Sequence, residues 1–203
     1  MNIDEVMRSA PVIPVLVLDG SIDPAALAET LVGAGLPVIE VTLRTPLALD
    51  AIRAMKSVPG AIVGAGTVLN ERMLGDALDA GAEFIVSPGL TGPFCRAAIA
   101  SGIPYLPGIA NAGDIMRGLD LGLKRFKFFP AEASGGLPTL KALSAPFADV
   151  RFCPTGGIRE DTAPQWLSHP SVLCVGGSWL VQQGEIDLDA VSERARRAAR
   201  LRA

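Results

Sequence analysis

The stretch Arg125-Phe126-Lys127-Phe128-Phe129-Pro130 places one of the chain's four lysines inside an aromatic run. An ammonium taken out of water without a partner is costly, and burial favours the neutral amine. A neutral amine attacks carbonyl carbon and forms a Schiff base, whereas an unperturbed lysine, with a pKa of about 10.4, is almost wholly protonated at neutral pH. The plainer alternative is a core lysine paired with a carboxylate. Glu40, alone in the apolar run Pro37-Val38-Ile39-Glu40-Val41-Thr42-Leu43, is the candidate for that partner. It is equally the candidate for the general acid/base that a Schiff-base enzyme needs to move protons. The two roles are compatible.

Arg44 and Thr67 place hydrogen-bond donors at the ends of two apolar runs. Arg44 suits a helix cap or a surface acid; as a functional group its guanidinium is a fork for a carboxylate. Four residues of extended strand span roughly 13 Å, so Glu40 and Arg44 are expected to reach different substrate atoms. Further along, Thr155-Gly156-Gly157 and Gly176-Gly177-Ser178 each carry a glycine pair. A single pair makes only a tight turn. Two pairs after successive strands suit a phosphate held by backbone N–H groups. Gly64-Ala65-Gly66 lacks the GxGxxG spacing of a dinucleotide site.

These residues need elements to hold them. Apolar, β-rich runs occur at 11–18, 37–43, 61–68, 83–89, 104–109, 125–130, 150–157 and 172–177, with helical patterns between them. The segment from Asp23 to Gly35 has an acid near its start and a glycine after its end, as a capped helix should. Strands alternating with helices predict a parallel sheet with helices outside. Eight units predict a single α/β domain over 1–203, a (β/α)8 barrel with short loops and a short N-terminal helix before the first strand. An open doubly wound sheet is the alternative. Strand parity puts Arg125, Lys127 and Phe129 on one face and Phe126 and Phe128 on the other. It likewise groups Val38, Glu40, Thr42 and Arg44 against Ile39, Val41 and Leu43. The wholly apolar faces suit the helices, so the mixed faces, with Lys127, Glu40 and Arg44, are expected to line the interior.

Composition narrows the class. Lysine and arginine number 18 against 21 aspartates and glutamates, a net charge of −3 that argues against a nucleic-acid partner. Five arginines between Arg194 and Arg202 read as the solvated face of a C-terminal helix. No apolar run reaches the 18 residues of a membrane span. Asp4 and Glu5 near the start leave no signal-peptide core, and a cytoplasmic location is expected. Three cysteines, Cys95, Cys153 and Cys174, with no CxxC spacing, fit neither a disulfide framework nor a structural zinc site. They read as buried thiols. His169, the single histidine, reads as a loop residue.

Six segments taken together, Glu40–Thr45, Val63–Asn70, Ser87–Thr91, Phe126–Glu132, Phe152–Ile158 and Gly176–Leu180, resemble the 2-keto-3-deoxy-6-phosphogluconate aldolases. The resemblance runs in register from about Pro11 to Leu180. It implies a class I aldolase in which Lys127 forms the Schiff base and Glu40 is the general acid/base. Arg44 and Thr67 would hold the pyruvyl carboxylate. Thr155, Gly156, Gly157, Gly177 and Ser178 would hold the sugar hydroxyls and phosphate, with Pro88 and Phe129 as walls of the site. It further implies a homotrimer, no cofactor and no metal. The nearest alternative substrate is 4-hydroxy-2-oxoglutarate. Outside the family, a phosphosugar isomerase or a non-catalytic phosphate-binding barrel would share the glycine loops without needing the lysine.

Overall fold

The computed structural model describes residues 1–201. In chain order the elements are α1 (Ile3–Arg8), β1 (Val12–Leu16), α2 (Pro24–Gly33), β2 (Val38–Thr42), α3 (Ala48–Lys56), β3 (Ile62–Gly66), α4 (Glu71–Asp79), β4 (Phe84–Ser87), α5 (Gly92–Ala100), β5 (Tyr105–Ile109), α6 (Ala112–Asp120), β6 (Arg125–Phe128), α7 (Gly136–Ser144), β7 (Arg151–Pro154), α8 (Ala163–Leu167), β8 (Val175–Gly177) and α9 (Leu188–Ala199). Several helices start where a side chain supplies a cap. Asp23 accepts from Ala26 N at 2.8 Å ahead of Pro24, Asn70 from Met73 N at 2.9 Å and Asn111 from Asp114 N at 3.0 Å, each satisfying an otherwise orphaned donor.

The strands form one parallel sheet in the order β7-β6-β5-β4-β3-β2-β1-β8. The sheet curls. In a flat sheet β2 and β6, four strands apart, would be separated by roughly 19 Å. Lys127 Nζ nonetheless lies 2.9 Å from Glu40 Oε1. At the sheet's ends, Phe152 of β7 bridges Val172 and Thr155 bridges Gly176. Phe152 N donates to Ser171 O at 2.8 Å, and Leu173 N donates to Phe152 O at 3.1 Å.

Parity divides the core in two. Ile39, Val41, Phe126, Phe128 and Phe152 pack outward with the helices. Ile13, Val38, Phe84, Val86, Leu106 and Cys153 form a second cluster inside the curl, joined by Val6 and Met7 of α1. Asp4 of that helix pairs with Arg8 and with Arg125, the first residue of β6, so α1 covers the N-terminal ends of the strands. The opposite, C-terminal ends are left for the site.

Two expectations are corrected here. Arg44 lies in the turn after β2, not on the strand, so strand parity does not govern it. Phe126 and Phe128 pack against the helical layer as parity expected, Phe128 with its ring 6.3 Å from Trp166. Arg194 is not on a solvated face: Nε donates to Leu180 O at 2.9 Å and the guanidinium pairs with Glu185. The half-buried arginine thus ties down the chain after β8. Arg202 lies outside the described residues. Cys95, Cys153 and Cys174 are all buried thiols outside any disulfide. No helix among the described residues is long and apolar enough to cross a membrane.

Tyr105, the chain's one tyrosine, packs edge-on against Phe94 at 5.6 Å beneath α5. Burial, the largest influence, pushes its phenol well above the usual range. The folded state therefore favours the protonated form, and this contribution is intact below the unfolded pKa of about 10 and lost as pH rises beyond it. Stability should fall from about pH 10 upward. In an alkaline titration tyrosinate absorbance should appear only together with loss of the far-ultraviolet circular dichroism signal; ionisation of the native protein near the ordinary tyrosine pKa would contradict this.

Candidate active site

Lys127 and Glu40 come from opposite sides of the curled sheet and meet inside it. Lys127 sits in the ladder between Gly108 and Cys153, and Glu40 between Val15 and Gly64. The lysine Nζ donates to both carboxylate oxygens, at 2.9 and 3.1 Å. The residues are only 6% and 3% exposed. A buried ion pair is weak evidence for stability, because apolar replacements are often neutral or more stable by ~1–4 kcal/mol. Stability alone therefore does not account for the pair. Phe129, just past β6, supplies the one aromatic face near the ammonium, with its ring centroid 5.5 Å from Nζ, inside the range of a cation–π contact.

Space for this pair comes from glycines whose role the sequence reading missed. A Cβ on Gly66 would stand 2.2 Å from Glu40 Oε1, and one on Gly64 would stand 2.4 Å from the Phe84 ring. Gly64-Ala65-Gly66 is thus a pair of notches in β3, one for the Glu40 carboxylate and one for the aromatic ring beneath it. The period-two spacing of the two glycines, matching the inward face of a strand, was the available signal.

The turn after β2 swings Arg44 toward the end of β3, where Nε donates to Thr67 Oγ1 at 3.3 Å. Thr67 has φ of 59°, the left-handed region that a β-branched residue rarely adopts. Such strain concentrates at functional positions. The bond joins the two residues across the ends of β2 and β3.

The two glycine loops are neighbours because Thr155 bridges Gly176. Gly156 and Gly157 have positive φ, 103° and 79°, a conformation that glycine adopts without steric cost. Among the described residues, the N–H groups of Gly156, Gly157 and Ser178 have no protein acceptor. Such convergent amides suit an anion. The loop is braced from β6: Ala131 N donates to Thr155 O at 2.8 Å and Glu132 N to Gly156 O at 3.0 Å. Gly177 is needed for a different reason, since its Cβ would stand 2.4 Å from the Trp179 ring. Thr155 is buried at the inner strand end, and Ser178 is exposed at the rim. Pro88, after β4, packs its carbonyl over Gly108, the ladder neighbour of Lys127. His169 accepts from Ser171 N at 3.2 Å in a loop before β8 and belongs to no part of this constellation. No group of three or more His, Cys, Asp or Glu side chains is gathered for a metal among the described residues.

A curled parallel α/β sheet with a lysine–carboxylate pair buried inside it and anion-binding glycine loops at its C-terminal ends defines an aldolase-type catalytic centre. The chain belongs to the KDPG and KHG aldolase family, whose model matches residues 3–194. It is 49% identical over 199 residues to the KHG/KDPG aldolase of Escherichia coli K12, an alignment spanning 96% of this chain and 93% of that one. It superposes on the crystal structure of 2-keto-3-deoxy-6-phospho-gluconate aldolase from Zymomonas mobilis with a TM-score of 0.98 and 57% identity, covering 100% of this chain and 99% of that one. With 41% identity and a TM-score of 0.94, over 98% of both chains, it also matches the KDPG aldolase of Legionella pneumophila, solved with pyruvate captured at low pH as a covalent carbinolamine intermediate.

Gly66 offers a separation of fold from chemistry. Its backbone is not in the left-handed region, so alanine meets no backbone strain there, and the clash falls on the Glu40 side chain, from Cγ to Oε1. Gly66→Ala should keep its circular dichroism spectrum while kcat falls by about 10²-fold or more, the range for loss of a general acid/base. Native turnover in a folded Gly66→Ala variant would show that the position of Glu40 is not critical.

Proposed function

We propose that this chain is a class I aldolase that reversibly cleaves 2-keto-3-deoxy-6-phosphogluconate to pyruvate and glyceraldehyde 3-phosphate, the Entner–Doudoroff reaction, through an imine at Lys127. The observation that carries the reading is the buried Lys127–Glu40 pair, with both carboxylate oxygens within hydrogen-bond reach of Nζ, in a chain of this family. The carbinolamine trapped in the Legionella relative is the species that such a lysine forms with pyruvate.

The steps follow from the geometry. Glu40 takes a proton from the Lys127 ammonium, and the free amine attacks the C2 ketone. The carbinolamine loses water to give an iminium. Glu40, ionised again, takes the proton of the C4 hydroxyl, directly or through a water. The C3–C4 bond breaks, its electron pair moves into the iminium to give an enamine, and glyceraldehyde 3-phosphate departs. Glu40 returns its proton to the enamine carbon, and water releases pyruvate from the imine. The iminium is the electron sink, so the cycle needs no cofactor and no metal. Arg44 and Thr67 hold the pyruvyl carboxylate. Thr155, the amides of Gly156, Gly157 and Ser178, and the Gly177 backbone beside them hold the hydroxyl and phosphate end, and Pro88 and Phe129 form the walls. The whole chain is a short-looped (β/α)8 barrel, cytoplasmic and assembled as a homotrimer.

Cleavage of 4-hydroxy-2-oxoglutarate is the second reading, favoured by the double name of the Escherichia coli relative. The same lysine and glutamate serve both substrates, and only the anion loops distinguish them. A phosphosugar isomerase would use those loops but would leave the buried lysine without a purpose.

Borohydride reduction in the presence of pyruvate should add one pyruvyl unit to Lys127, located by peptide mapping. Label on Lys124, which pairs instead with Asp149 on the surface, would overturn the assignment. Glu40→Gln should still take the label slowly while its turnover falls about 10²–10⁴-fold; near-native turnover would reduce Glu40 to a structural partner.

A further inference from the structure

A second chain of polar groups is buried beside the site, where β4 lies against β5. Ser87 closes β4 and is 2% exposed; Tyr105 opens β5 and is 3% exposed. Ser87 Oγ donates to the Gly89 carbonyl at 2.7 Å. The same Oγ lies 2.7 Å from the Tyr105 hydroxyl, and Cys95 Sγ lies 3.5 Å from that phenol oxygen. Valence fixes the direction of the whole chain. A carbonyl only accepts, so it takes the single serine proton. The phenol must then donate to Ser87 Oγ, and the thiol is left to donate to the phenol oxygen. Burial pushes both the phenol and the thiol toward their protonated forms, so the protons stay in place at neutral pH. Each bond points toward the turn formed by Pro88 and Gly89.

That turn is held on its other side by β5. A Cβ on Gly108 would stand 2.2 Å from the Pro88 carbonyl oxygen, and Gly108 is the ladder neighbour of Lys127. The missing side chain lets the turn approach the strand beside the lysine, and the serine bond ties it there. Neither hydroxyl belongs to the interior. Phe84 and Val86 occupy the inward face of β4, and Tyr105 packs in the outer cluster with the helices.

We propose that Ser87 and Tyr105 are positioning residues for the aldol reaction: the run Cys95–Tyr105–Ser87–Gly89 fixes the Pro88 turn as a wall beside the imine, and the two hydroxyls set turnover without touching substrate. The proposal rests on the reading of Lys127 as the imine-forming residue and of Pro88 as a wall of its pocket.

The test compares Ser87→Ala, Tyr105→Phe and the double variant on the full-length enzyme. Ser87→Ala removes the bond to Gly89 and should lower kcat by roughly tenfold or more, because small misplacements near the reacting atoms are amplified in rate. Tyr105→Phe removes only the proton given to Ser87 and should have a smaller effect. The double variant should be no worse than Ser87→Ala, since both residues act through one chain. Tyr105 is the only tyrosine, so tyrosine labelled with carbon-13 at its hydroxyl-bearing carbon gives one resonance. It should shift when pyruvate is trapped on Lys127 by borohydride in the native enzyme, and stay still in Ser87→Ala. Additive rate losses, or native kcat in Ser87→Ala, would overturn the proposal. So would an unmoved tyrosine resonance in native protein that carries the label. If Ser87→Ala does not fold, Tyr105→Phe and the native resonance decide the matter. Absence of label at Lys127 in the native enzyme would instead overturn the reading beneath it.

Discussion

Two opposite charges buried against each other are the constraint on which the rest of this structure depends. Lys127 and Glu40 stand on strands four apart, and each would be unaffordable inside the fold without the other. Their contact requires a sheet curled tightly enough to bring opposite strands within two side-chain lengths. It also requires that the C-terminal end of the interior stay open to substrate while the N-terminal end is filled. The filling comes from Ile13, Val38, Phe84, Val86 and Leu106, with Val6 and Met7 from α1 beneath them. The polar level then sits on an apolar floor, toward the loops at the C-terminal strand ends.

Room for the polar level is made by what the strands omit. Gly66 yields to the Glu40 carboxylate, Gly64 to the Phe84 ring beneath it, Gly108 to the Pro88 carbonyl and Gly176 to the Thr155 side chain. Each replaces a side chain that would fill the interior, and each does so at a contact under 2.5 Å for the missing Cβ. A close-packed interior accepts such notches only where another group occupies them. The site is therefore carved by pairs of residues, one small and one projecting, on adjacent strands.

The loops divide the remaining work by charge. Arg44 and Thr67 converge at the ends of β2 and β3, while the unpaired amides of Gly156, Gly157 and Ser178 gather at the ends of β7 and β8. A substrate with a carboxylate at one end and a phosphate at the other would lie across the lysine between them. Arg159, the cation that follows the first glycine loop, is engaged with Asp161 at 3.1 Å, so the proposed anion site would rest on backbone dipoles rather than on a side-chain cation.

The sequence by itself determined the alternation of strands and helices, the inward parity of Lys127 and Glu40, and the glycine loops, because each of these is a local period or a local turn. It also carried enough of the family's motifs in order to name the chemistry. Tertiary structure alone decided what those residues meet. The meeting of Lys127 with Glu40 is separated by 87 positions, and no local pattern encodes the curl that closes that gap. Arg44 left strand parity at a turn and found Thr67. Phe126 and Phe128, adjacent to the lysine in sequence, turned away from it, and only Phe129 stayed near its ammonium. The glycines of β3 looked like an incomplete motif because their meaning lies in side chains on β2 and β4. Parity is a property of one strand and can be read along it; a contact between strands depends on register and curvature, which are settled only when the whole sheet packs.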